Sequence, residues 1–124
     1  MENVIFEVSG GIGKNIMATA VVEGIKKHYK DKNIVVVASY PDIFYNNPNV
    51  YRSYNMAKIE YFYEDYVKNK NSIILKSDPY YETGFVNNEC HCIESWFRQS
   101  GLEYKGEQPQ LFTTLMEEEV VYKA

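Results

Sequence analysis

Val4-Ile5-Phe6-Glu7-Val8-Ser9-Gly10-Gly11-Ile12-Gly13-Lys14-Asn15 is the segment on which the architecture turns. Its first five residues make a short apolar run of the kind buried on both faces of a parallel sheet. The next seven form a glycine-rich turn that leads into Ile16-Met17-Ala18-Thr19-Ala20-Val21-Val22-Glu23-Gly24-Ile25, where apolar residues recur with helical spacing. A strand, a glycine turn and a helix in that order leave main-chain N–H groups exposed at the positive end of the helix dipole. Those donors suit an anion or a polar sugar, and open α/β sheets place their clefts at the carboxyl ends of their strands.

The turn departs from two common phosphate motifs. A dinucleotide fingerprint, G-x-G-x-x-G, is met by Gly11 and Gly13 but has Ile16 in place of its third glycine. A P-loop would need a glycine at Val8 and a metal-binding hydroxyl at Asn15. The glycines alone therefore define only a Rossmann-like βα turn.

Outward from this turn, a helix over 15–29 puts Met17, Val21, Ile25 and Tyr29 on one stripe, with Thr19, Glu23, Lys26, Lys27 and Lys30 on the other side. Gly24 sits beside the stripe, which predicts close approach to the sheet. Ile34-Val35-Val36-Val37-Ala38 is a β-branched strand, and residues 3–38 have the length of a right-handed βαβ crossover. A helical turn over 42–46, a strand over 50–54, an aromatic-rich helix over 56–68 and a strand over 72–76 follow. A second helix over 89–100 has Asn88 as cap and Gly101 as stop. Leu111-Phe112 is the expected last edge strand. The fold class is α/β, a Rossmann-like parallel sheet of about four or five strands with flanking helices. Residues 1–115 form one domain, and 116–124 a charged tail or linker.

Composition narrows the function. The chain has 124 residues, 45% hydrophobic and 24% charged, with a formal charge of −4. That balance gives no basic footprint for nucleic acid. The apolar runs fall short of the roughly 20 residues of a membrane span. Glu2 and Asn3 stand where an export signal would carry positive charge, so the cytoplasm is the expected compartment. Cys90-His91-Cys92 lacks the ligand spacing and the second cluster of a zinc site, so free thiols and no metal are expected.

With these pieces placed, the chain resembles the N-terminal half of family 9 glycosyltransferases, the heptosyltransferase-like enzymes of GT-B fold. The likeness rests on G-G-I-G-x-N-I-M-A-T (10–19), K-K-H-Y (26–29), S-Y-P-x-I-F-x-N-N-P-N-V (39–50), D-P-Y (78–80) and H-x-I-E-x-W (91–96), in family order. The resemblance implies one half of a two-domain transferase. This half holds a sugar or glycan acceptor, while a donor domain binds the nucleotide sugar. Transfer would be inverting, with no cofactor and a carboxylate after the glycine turn as general base. The chain has Lys14 where that aspartate belongs and ends near the crossing into the donor domain. The expectation is an acceptor half inactive alone, completed by a separate donor-domain chain.

The expected binding residues are Gly10, Gly11, Ile12, Gly13, Lys14 and Asn15 of the turn. Tyr40, Asp78 and Tyr80 join them on the cleft side, with His91 at a matching family position. Three readings of Lys14 stand side by side: a solvated lysine, a cation facing an anionic ligand, or a base freed of its proton by its surroundings. As a cation in the first turn it opposes the helix dipole by roughly 0.3–1 kcal/mol. Glu7, near the carboxyl end of the first strand, is the other candidate catalytic residue. Two further classes compete with the transferase half. One is a stand-alone module that binds an anionic or nucleotide-like small molecule through the Gly10–Asn15 turn. The other is an interaction protein that self-associates into a homo-oligomer.

Overall fold

The opening apolar run forms strand β1 (Asn3–Val8), in which Val4, Ile5, Phe6 and Val8 are all buried. In the computed structural model, which describes residues 3–57, 66, 71–76, 79 and 91–112, β1 lies between two parallel neighbours. One is β2 (Asn33–Ala38), which in turn pairs with β3 (Arg52–Asn55). The other is β4 (Ile73–Lys76). The order β3-β2-β1-β4, all parallel, makes the protein an α/β Rossmann-like fold.

Alternation along the strands divides the core in two. Val4, Phe6 and Val8 of β1 and Ile34, Val36 and Ala38 of β2 face helix α1 (Ile12–His28) and helix α2 (Cys92–Gln99). Ile5, Val35 and Val37 face the other way, toward Tyr66, Tyr54 and Met56. Trp96 of α2, fully buried, tilts against Phe6 with ring centroids 5.5 Å apart. A glycine inside α1 lets the two helices close up. A Cβ on Gly24 would lie 2.2 Å from Cε2 of Phe97, so its close approach is to α2 and not to the sheet.

Several local expectations need correction. Helix α1 begins at Ile12, three residues earlier than periodicity suggests, because extended Gly11 caps it and the Asn15 N–H closes the first turn on the Gly11 carbonyl at 3.2 Å. Thr19, expected on the polar side, is buried. The chain after α2 returns over α1, and the Gln110 N–H donates to Thr19 Oγ1 at 2.8 Å while that hydroxyl donates to Ile16 O. For the same reason Leu111-Phe112 is no strand: this stretch lies on a helix and not on a sheet edge. The turn after β2 is a 3₁₀ helix over Pro41–Phe44, and β3 starts two residues later than expected.

Helix α2 is capped by His91, whose Nδ1 accepts from the Ile93 N–H at 3.1 Å. It ends in a Schellman motif. The Leu102 N–H reaches Phe97 O and the Gly101 N–H reaches Arg98 O, with Gly101 at φ +72°. The expected helix over 56–68 (Tyr66 apart), the Asn88 cap and the tail 116–124 lie outside the described residues. Among the described residues no helix is long and apolar enough to cross a membrane.

Candidate functional site

In this strand order the chain leaves β1 for β2 on one side and comes back to β4 on the other. The carboxyl ends of β1 and β4 therefore form the topological switch point, where open α/β sheets carry a crevice. The glycine turn stands at this point, with Ser9, Gly10, Gly11, Ile12 and Gly13 all exposed. A Cβ added to Gly11 or Gly13 would meet nothing within 4 Å, so the space over the turn is open. The intrahelical bonds begin with the Asn15 N–H, leaving those of Ile12 and Gly13 outside the helix ladder. No acidic residue sits in the first turn to compete with an incoming acceptor.

A side-chain network holds the turn in shape. Asn15, fully buried, donates from Nδ2 to Gly11 O at 2.8 Å and to Ser39 Oγ at 3.1 Å, while its Oδ1 accepts the Tyr40 N–H at 3.3 Å. Ser39 Oγ donates to Gly10 O at 2.7 Å, and the Ser39 N–H to Val8 O at 3.0 Å. The loops after β1 and β2 are thus tied by Asn15 and Ser39. Tyr40 is half exposed beside them. Ser39 was not among the expected site residues. Its signal was its place immediately after a strand adjacent to β1.

Lys14 overturns the solvated reading. It is only 5% exposed. Its alkyl stem runs beneath Gly10, where an added Cβ would come within 2.9 Å of Cδ. Its Nζ is 3.4 Å from Ser9 Oγ and 5.7 Å from the centroid of the Trp96 ring. Gly10, at φ +90°, is required twice over: for its backbone conformation and for the room it leaves Lys14. The aromatic face and the Ser9 hydroxyl compensate a cation that the helix dipole disfavours.

Glu7 stands on the other side of the sheet. It shares the face of Ile5 and Val37, while Lys14 packs with Trp96 on the helix face. Its carboxylate is 3.7 Å from Lys76 Nζ on the neighbouring strand. Sheet backbone thus separates the two catalytic candidates. His91 is exposed, and among the described residues its hydrogen bond is to its own helix. Asp78 and Tyr80 lie outside the described residues. Pro79 between them is buried, and its carbonyl accepts from Ser95 Oγ at 3.2 Å.

No family model, curated protein or solved structure matches this chain. What the site can do follows from its own chemistry. It offers main-chain donors on a braced, open turn, with a cation just beneath.

Proposed function

We propose that this domain is the acceptor-binding half of a nucleotide-sugar-dependent glycosyltransferase of the heptosyltransferase-like kind. A sugar hydroxyl or an attached acidic group of the acceptor would rest on the Gly10–Gly13 turn. The observation that carries the reading is the open, braced turn at the β1–β4 switch point, with the N–H groups of Ile12 and Gly13 outside the helix ladder. The ordered motifs from Gly10 to Trp96 support the family likeness.

On this reading the described residues bind and orient. Inverting transfer needs a group that accepts the proton of the attacking hydroxyl. Lys14 is held beneath the turn and Glu7 faces the opposite side of the sheet, so neither takes that role. The base and the donor site then lie outside the described residues. The purified chain is then expected to bind acceptor without transferring sugar, and to support transfer once a donor-domain protein is supplied.

A second reading has its own observation in its favour. The ammonium of Lys14 near Ser9 adds positive charge to an already positive helix end, which suits a phosphate. Here the domain binds a nucleotide-like molecule by itself. Titration of the ¹⁵N-labelled full chain distinguishes the two. Movement of the Gly10–Lys14 amide signals with neutral and phosphorylated oligosaccharides supports the acceptor reading. Movement with AMP alone supports the second. Amides that move with neither remove the turn as a binding site.

A further inference from the structure

The chain carries a second built surface that shares no residue with the glycine turn. Among the described strands β3 is the edge strand, and beside it runs a groove of about 630 Å³, within the size range of small-molecule sites. Its base is apolar, from Phe44 and Val50. Its walls are Tyr45, Asn46, Tyr51, Arg52, Ser53 and Tyr54. Tyr45 and Tyr51 are 53% and 52% exposed, so two large aromatic rings face solvent in one groove.

Arg52 gives the groove its charge. The guanidinium carbon lies 5.2 Å from the centroid of the Tyr51 ring. The hydroxyls of Tyr54 and Tyr66, 2.6 Å from each other, lie near the guanidinium and hold its pKa above the ordinary arginine value. The Tyr51 ring thus supports an exposed cation that has phenol hydroxyls nearby. A phenol is neutral at physiological pH even at its ordinary value of 10.0, and burial, ahead of the bond to Tyr54, pushes the Tyr66 hydroxyl further up to about 12, so no phenolate there cancels the charge of Arg52. Among the described residues no carboxylate lies within 4.0 Å of that guanidinium. An arginine lying on an aromatic ring, with only neutral hydroxyls nearby, keeps N–H donors for a forked oxyanion.

The neighbours select what carries the oxyanion. An apolar ligand would leave the guanidinium and the amide of Asn46 without partners. A nucleic acid strand would meet a chain of net charge −4 with one arginine at the contact, too little for a polyanion. A polar ring with an acidic substituent meets every demand. Its C–H face lies on a tyrosine, its hydroxyls reach Asn46 and Ser53, and its charge meets Arg52. We propose that the β3 edge is a binding subsite for an acidic sugar, whose carboxylate or phosphate is held by Arg52 and whose ring lies on Tyr51.

The subsite stands apart from the proposed acceptor turn, and each is read at its own amides. The test titrates the ¹⁵N-labelled full chain with glucuronic acid, glucose 6-phosphate, glucose and inorganic phosphate. Signals from Tyr51 to Asn55 are expected to move with one or both acidic sugars, and the tighter of the two names the oxyanion. Glucose and inorganic phosphate are expected to bind about tenfold more weakly, since each lacks one half of the recognition. Arg52→Gln should weaken the acidic sugar about tenfold or more, and Tyr51→Ala several-fold, in variants with wild-type circular dichroism. Inorganic phosphate binding as tightly as the sugar phosphate overturns the proposal. So does an Arg52→Gln variant that binds like wild type, or a β3 edge whose signals move with no acidic sugar.

Discussion

Lys14 and Arg52 are two cations of one sheet, one at its centre and one at its end, and they are handled in opposite ways. Lys14 follows β1 at the centre of the sheet and is covered by Gly10, Ser9 and Trp96. Arg52 lies on the edge strand and is exposed, steadied by tyrosines. A central strand has helices over its ends, so a long side chain there is drawn beneath them and its charge acts through the backbone above. On β3, at the end of the described sheet, Arg52 borders an open groove, so its charge faces solvent directly. The centre therefore presents main-chain donors and the edge presents side-chain donors. Changes at the turn should then cost stability, and changes at the edge should leave the fold intact.

The largest expected effect is on the central side. Trp96→Ala removes the ring under Lys14 and opens a cavity against Phe6. It should cost about 3–5 kcal/mol in urea unfolding, and a loss below about 1 kcal/mol would show that the turn does not depend on this floor. Next comes Gly10→Ala. A side chain at φ +90° and in contact with the Lys14 stem should cost about 1–3 kcal/mol, measured the same way. Equal stability would mean that the turn relaxes freely and is not braced.

On the β3 side the effects shrink. Tyr66→Phe deletes the hydroxyl bonded to Tyr54 and should cost about 1 kcal/mol. Its pH dependence carries a sign. The folded protein holds the Tyr66 proton up to about pH 12, against an ordinary value of 10.0, so this stabilisation is complete below pH 10 and is lost as pH rises through 12. Chemical denaturation at pH 9 and pH 11.5 should show that alkaline loss in wild type and a smaller one in Tyr66→Phe. Smallest is Arg52→Gln, expected within about 0.5 kcal/mol of wild type because the side chain is exposed. A large loss there would erase the contrast between centre and edge.

How readily each part could be read from sequence follows the range of its interactions. Strands β1 and β2 were evident because their burial is written as short apolar runs in consecutive residues, and β4 from the run Ile73-Ile74-Leu75, although Ile74 is half exposed. The glycine turn was evident because positive φ and open space favour glycine whatever the distant context. Thr19 was misread because the chain that covers it arrives from Gln110, 91 residues away. Local hydrogen bonding by His91 near the cap was legible, but the helix was read as starting at 89, and only the bond from the Ile93 N–H identifies His91 itself as the N-cap of a helix that starts at Cys92. The β3 groove was invisible for a related reason: Tyr45, Tyr51 and Arg52 meet only once the edge strand is laid beside the chain that precedes it.

By itself, the order of residues determined a parallel α/β sheet with a donor-rich glycine turn after its first strand, since both depend on local periodicity and on which residue tolerates which backbone angle. Tertiary structure alone decided the fate of the charges. It buried Lys14 under Gly10 and against Trp96, put Glu7 across the sheet beside Lys76, and left Arg52 standing among tyrosines. A side chain's charge is read by whatever packs within a few ångströms of it, and those neighbours come from segments far away along the chain.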